Sequence, residues 1–228
     1  MDALVLASLV PSGFFGRLVD LGAGAGAAGL AVLARCPAAT ALLVEREPAM
    51  VEAARLTLAR PENATFSTRA GILAADVGLA GQARRTAGLA DNAFDAALMN
   101  PPFNAPGDRA TADGLRRAAH VMDDATIPGW IRTAAAIVKP GGLIALIARP
   151  QSLAEILGAL DGRAGGAEIV PVHPRPSAAA IRILVRARRG SRAKLALLPP
   201  LVLHADGGNA LSARADAIVN GETGLLDD

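Results

Sequence analysis

Short, continuous apolar runs recur along the chain, separated by segments whose apolar positions repeat every three or four residues. Arg17–Leu21, Ala41–Val44 running into Glu45, Phe94–Met99 and Leu143–Ala148 have strand length and the unbroken apolar character of strands buried on both faces. Ala64–Thr68 reads as a third strand and Ala167–Val172 as a sixth. The intervening segments read as helices. One follows the glycine-rich stretch after Leu21 and runs to Arg35. Another opens at Pro48, carries Val51, Ala54 and Leu58 on one face, and stops at Pro61. A third starts at Thr126 and Pro128, keeps Ile127, Trp130, Ala134 and Ile137 in phase, and ends at Lys139-Pro140-Gly141-Gly142. Gln151–Leu160 is the fourth, and Ala3–Val10 forms a short opening helix that Asp2 caps. The last strand differs. Ile181, Ile183, Val185 and Ala187 alternate with Arg182, Leu184, Arg186 and Arg188, the period-two pattern of a strand buried on one face. Alternating strands and helices predict a doubly wound α/β sheet closed by this one different strand. Gly78–Asn92 reads as a loop or weak helix, and Ala105–Asp124 as a long polar connection.

Composition narrows the class. Hydrophobic residues make up 52% of 228 and charged residues 19%, so the chain can bury a full core as one domain, with residues 1–13 as an N-terminal helix and 190–228 as a C-terminal extension. Much of the apolar fraction is alanine, and the longest uncharged run, Leu21–Ala34, is glycine-rich and shorter than the roughly 18 residues that suggest a membrane span. A start at Met1-Asp2 lacks the basic residues of a signal peptide. Cys36 alone supports neither a disulfide framework nor a thiolate metal site, which makes a reducing cytoplasm the expected compartment. The net charge is only +2. Its distribution says more: eight cations from Arg163 to Lys194 face Glu168 alone. Arg182, Arg186 and Arg188, with Arg175 before them, are expected to form a cationic surface on one strand face.

The chemistry gathers at strand ends. Asn100-Pro101-Pro102-Phe103 follows the Phe94–Met99 run abruptly. In open α/β sheets that carboxyl edge is where ligands bind. Asn100 offers a side-chain carbonyl and Pro101 a backbone carbonyl, with the proline ring holding Asn100 extended. Two acceptors that take both hydrogens of a planar conjugated amine draw its delocalised lone pair out and aim it, while Phe103 stacks on the ring. The same tetrad also reads as an ordinary turn with Phe103 in the core.

Gly24 to Gly29 satisfies G-x-G-x-x-G after a strand, a pattern that brings backbone amides against a ligand and is shared by many cofactor folds. Asp20, two residues before Gly22, adds discrimination. It would repel a pyrophosphate but suits a ligand carrying an ammonium group, such as S-adenosylmethionine. Glu45 is placed to accept from ribose hydroxyls, and Asp76 from an adenine amine. His120, His173 and His204 lie too far apart in sequence to suggest a metal site. Trp130 and Met99 read as core. Arg109, Arg116 and Arg117 read equally as a solvated helix face or as phosphate contacts.

These residues resemble the class I methyltransferases: Asp20–Gly26 is similar to their first motif, Glu45 and Asp76 to the acids of the second and third, and Asn100–Phe103 to the amino-methylating fourth. The chain resembles in particular the bacterial tRNA (adenine-N6) methyltransferases that modify the adenine beside the anticodon of a valine tRNA. His173-Pro174-Arg175-Pro176 through the Ile181–Arg189 strand, and Leu201–His204, are similar to that family as well. The resemblance implies a Rossmann-like, mostly parallel seven-stranded sheet with one antiparallel strand and helices on both faces. It implies S-adenosylmethionine as cofactor, held by Asp20, Gly22, Ala23, Gly24, Glu45 and Asp76, and no metal. Asn100, Pro101, Pro102 and Phe103 would be catalytic and a tRNA the partner. Family members carry a further segment before the equivalent of Asp2-Ala3-Leu4, so a truncated start is expected. The alternatives that keep the chemistry are guanine N2 of ribosomal RNA and a protein glutamine amide. Those from other classes are a nicotinamide-dependent oxidoreductase and a non-catalytic RNA-binding module.

Overall fold

The computed structural model describes residues 1–102, 126–205 and 208–227. The expectations placed on Phe103, Arg109, Arg116, Arg117, His120 and the 105–124 connection lie outside the described residues. The core strands are β1 (Gly16–Leu21), β2 (Ala39–Glu45), β3 (Ala70–Ala74), β4 (Phe94–Met99), β5 (Val138–Ala148), β6 (Ala164–His173) and β7 (Arg182–Arg189). Two-residue strands β8 (Ala196–Leu197) and β9 (Leu201–Val202) both pair with β6. The order is β3-β2-β1-β4-β5-β7-β6-β8. β7 runs antiparallel to β5 and β6, and every other pairing is parallel. This is the Rossmann-like, mostly parallel sheet that the resemblance implies, with nine strands instead of the expected seven because the C-terminal extension adds two short ones.

The continuous apolar runs work as their pattern implies, since adjacent residues feed opposite faces. Leu18, Ala96 and Leu98 join the core beneath α1 (Asp2–Ala7), α2 (Ala27–Arg35) and, further along, α8 (Ala213–Val219). Val19, Leu21, Ala97 and Met99 join the core beneath α6 (Thr126–Ile137) and α7 (Leu153–Leu160). α3 (Pro48–Ala59) begins on its proline and buries Val51 and Ala54.

Two expectations are corrected. Ala64–Thr68 is not a strand. Ala64–Ser67 forms one helical turn, α4, and the strand begins at Ala70. The Arg69 guanidinium donates to the carbonyls of Leu33, Cys36 and Ala39, which pins that residue at the amino edge of the sheet, so pairing starts only after it. Nor does β7 present a free cationic face. Arg182, Leu184, Arg186 and Arg188 share one side, and α1 covers most of it. Arg182 pairs with Asp2 at 2.8 Å, while Arg186 pairs with Glu168 and reaches the Leu9 carbonyl. Arg182 and Arg186 stand in the packed part of the sheet and find partners inside the fold, while Arg188, nearer the amino edge, is exposed.

The 78–92 segment contains α5 (Gly81–Thr86). Its Arg84 is only 3% exposed and donates to the Leu89 carbonyl and to Asp91, closing the segment on itself. Beyond β9, the Leu225 N–H donates to the Ser8 carbonyl at 2.8 Å and Asp227 accepts from the Ser12 N–H, so the C-terminal residues strap the first helix down.

Replacing Arg84 by methionine should strand the Leu89 carbonyl and release Asp91. Asp91 is exposed, so the loss comes from the stranded Leu89 carbonyl, an unmet buried acceptor costing about 1–3 kcal/mol. Urea denaturation measures the loss, and an unchanged midpoint would mean the segment is held by something else.

Candidate active site

Register places the acids and the amide on one line. β1 pairs Leu21 with Val44 of β2 on one side and with Met99 of β4 on the other. Gly22, Glu45 and Asn100 therefore emerge at the same level from three adjacent strands. Glu45 in turn pairs with Ala74 of β3, which puts Asp76 two residues past the same edge.

Asp20 is 2% exposed, and its Oδ2 accepts from the Gly29 N–H at 2.8 Å, tying the strand end to the first turn of α2. Burial raises its pKa from the ordinary 3.8 to about 6; the Gly29 hydrogen bond opposes that rise and the neighbouring Glu45 charge adds to it. Glu45 organises the loop from its other side. Its Oε2 accepts from the Gly24 N–H at 2.9 Å, and its Oε1 accepts from the Arg46 and Glu47 N–H groups. Asp76 accepts from the Gly78 N–H at 2.7 Å and pairs with Arg46 at 3.2 Å. Gly22 and Ala23 both donate to the Val44 carbonyl at 2.9 Å.

Two glycines are demanded by geometry. Gly22 has φ +70°, and a Cβ there would stand 2.3 Å from the Trp130 ring. A Cβ at Gly29 would stand 2.6 Å from Leu43. Trp130 was read as core, and it is, at 9% exposed, but it is also the floor under the glycine turn. Thr133, one turn further along α6, is buried and donates to the Val77 carbonyl at 2.8 Å, which fixes the loop that begins at Asp76. The sequence reading missed Thr133. Its only signal was a hydroxyl on the apolar side of a helix.

At the fourth strand end, Asn100 is half-buried, Pro101 buried and Pro102 exposed. Asn100 Oδ1 is a buried acceptor with no hydrogen-bond partner among the described residues. The structure thus brings Asp20, Gly22, Ala23, Gly24, Glu45, Asp76, Asn100, Pro101 and Pro102 to one edge. His173 and His204 instead bond to the carbonyls of Ala178 and Asn209 in separate loops. Among the described residues no three His, Cys, Asp or Glu side chains come together as a metal site, and no helix is long and apolar enough to cross a membrane.

The residues fit S-adenosylmethionine on their own chemistry. A buried carboxylate beside a glycine turn suits an ammonium. Glu45 keeps acceptor lone pairs at the second strand end for ribose hydroxyls, and a Cβ built on Gly24 would meet nothing within 4 Å, so the loop opens onto free space. A pyrophosphate would meet Asp20 and Glu45 instead of cations, which argues against a dinucleotide.

Comparisons with known proteins agree. The family model of the methyltransferase small domain matches residues 2–162. A crystal structure of a predicted O-methyltransferase from Agrobacterium tumefaciens is 45% identical, covers 99% of this chain and 98% of its own, and superposes with a TM-score of 0.86. TrmN from Thermus thermophilus, at 19% identity over 82% of this chain and 47% of its own, has a TM-score of 0.52. A geranyl diphosphate C-methyltransferase from Streptomyces coelicolor, crystallised with S-adenosyl-L-homocysteine, is 14% identical over 82% of this chain and 79% of its own, with a TM-score of 0.58. No curated protein matches the chain.

The raised Asp20 pKa carries a sign. The unfolded chain ionises near 3.8 and the folded one near 6, so stability falls as pH rises between those values and the full cost, about 3 kcal/mol, stands above them. Asp20→Asn keeps an oxygen for the Gly29 N–H and removes that cost. Its advantage in urea over the natural residue should grow from pH 4.5 to 7.5 in ligand-free protein. An advantage independent of pH would show that Asp20 does not titrate in this range.

Proposed function

The chain belongs to the methyltransferase small domain family, and from that premise we propose that it transfers a methyl group from S-adenosylmethionine to an exocyclic aromatic amine, adenine N6 of a structured RNA being the substrate its site suits best. The observation that carries this reading is the buried, unpartnered Oδ1 of Asn100 at the carboxyl end of β4.

S-adenosylmethionine, when bound, supplies a methyl carbon that a nucleophile takes by in-line displacement, so the chain's own task is positioning. Asp20 faces the ammonium, Glu45 accepts from the ribose and Asp76 from the adenine amine. Gly22, Ala23 and Gly24 keep the backbone out of the way. Asn100 Oδ1 accepts one hydrogen of the target amine and the Pro101 carbonyl the other. Pro102 ends the strand, and Phe103 stacks on the base. A buried acceptor left alone costs about 1–3 kcal/mol. An amine has a hydrogen for Asn100 Oδ1 and a second for the Pro101 carbonyl, whereas a hydroxyl has only one, which favours nitrogen over oxygen as the site of methylation.

A base inside a duplex cannot reach such a pocket, so a loop nucleotide that leaves its stack is the fitting target. Arg149 follows β5 directly and Arg175 follows β6, both at the carboxyl edge, where a phosphate backbone would pass. An adenine beside a tRNA anticodon is the form of this substrate that the motif resemblance suggests.

Total RNA and total protein incubated with methyl-labelled S-adenosylmethionine should show label in RNA, recovered as N6-methyladenosine after digestion. Asn100→Ala should lower that rate by about 10²-fold or more. Cofactor affinity should stay unchanged and the melting temperature should not fall, because removing the Asn100 oxygen breaks no hydrogen bond it makes to the described residues. Wild-type rates in the variant would reduce the tetrad to a turn; label in protein would move the substrate to an amide side chain.

A further inference from the structure

The cation-rich stretch noted in the sequence divides in two. Arg175 and Arg182 lie at the carboxyl edge, and Arg186 is consumed by Glu168. The others collect at the opposite end of the sheet, because β7 runs antiparallel and delivers Arg188 and the residues after it to the amino edge. There the end of α7, the start of β6 and residues 190–195 enclose a cleft of about 610 Å³. Its cationic lining is Arg163 and Arg192, with Ser191 between strands and Leu160 and Leu195 as apolar walls. Lys194, exposed, lies in sequence between the lining residues Ala193 and Leu195, whereas Arg188 shares the other face of the sheet with Leu143 and Leu184.

Arg163 donates to the Ala159 and Asp161 carbonyls, which holds its guanidinium against the end of α7. Arg188 donates to the Gly141 carbonyl. None of Arg163, Arg188, Arg192 or Lys194 forms an ion pair among the described residues. Asp161 is the carboxylate in the lining. Glu168 faces Arg186, and Asp95 faces Lys139. Three cations meeting one acid at an open cleft leave an excess of positive charge with no ion-pair partner among the described residues, unlike Arg182 and Arg186.

We infer that this amino-edge cleft is a second contact for RNA, in which Arg163, Arg192 and Lys194 hold phosphates of the same molecule whose adenine enters at Asn100. The inference rests on the RNA reading proposed above. The spacing is compatible with one substrate. β7 has eight residues, so the two edges stand on the order of 25 Å apart at about 3.3 Å per residue. About one turn of an A-form RNA helix covers that distance. A structured RNA arm lying along the β6 side of the protein reaches both edges. The outer contact adds affinity without touching the reacting atoms, as phosphate contacts do.

The test uses the full chain carrying Arg192→Ala with Lys194→Ala, both exposed and remote from the carboxyl edge. Bulk tRNA binding is titrated against salt. Methyl transfer to a short adenine-containing single strand and S-adenosylmethionine affinity are measured alongside. The variant is expected to bind tRNA about tenfold more weakly at moderate salt, with a log–log slope shallower by about 1.4–1.8, while short-strand turnover and cofactor affinity stay at wild-type values. Equal tRNA affinity and slope in the two proteins, with the wild type binding and methylating RNA, would overturn the second contact and leave the RNA reading standing. Failure of the wild type to bind tRNA at all would overturn both. Loss of binding to phosphatidylserine vesicles in the variant, with tRNA binding untouched, would assign the patch to a membrane surface instead.

Discussion

Everything at the carboxyl edge depends on β1 being hydrogen-bonded in parallel on both sides. Its pairing with β2 and with β4 ends at the same residue, Leu21, so three strand termini stop level with one another. A slip of one residue would exchange Asp20 with Val19 and bury the carboxylate against α6 instead of beside α2. Both faces of β1 are packed, which makes that slip prohibitively costly. The glycine turn, the second-strand acid and the amide of the fourth strand are held in line by the sheet itself, and the bond from the Gly24 N–H to Glu45 ties the first two together.

The loops leaving that edge are tied down by a small set of buried polar groups. Asp20 holds the start of α2, Thr133 holds the loop after β3, and Arg84 closes the segment behind that loop. α6 links two of these regions, since its Trp130 supports Gly22 and its Thr133 supports Val77. The helix that follows the 103–125 connection is thus the brace for the first and third strand ends.

Much of this was legible in the sequence because the fold is written in long-period patterns. Unbroken apolar runs mark strands with two buried faces, and acids at successive strand ends mark an edge where backbone must stop pairing. What misled was local. Ala64–Thr68 has no strong preference of its own, and three carbonyls around Arg69 decided where pairing could begin. The alternation in β7 suggested a solvated face, yet Leu184 sits among the arginines fully buried, and α1 closes over that side. No single-sequence signal announces that a helix from the far end of the chain will cover a strand. Nor did periodicity separate Trp130 as core from Trp130 as support for Gly22, because burial satisfies both descriptions. The two short strands β8 and β9 lie in a segment too rich in proline and too brief to carry a pattern.

The solitary oxygen of Asn100 has a further consequence, one of selectivity. An unfilled buried acceptor is a standing penalty of about 1–3 kcal/mol. A ligand presenting N–H there removes the penalty, while one presenting another lone pair deepens it. At about 1.4 kcal/mol per factor of ten, the first part alone separates the two by roughly fivefold to 150-fold. Adenine and hypoxanthine differ at that position by an amine against a carbonyl. On the adenine reading proposed above, a deaminated ring of the same shape would bind at Asn100 more weakly by about that factor.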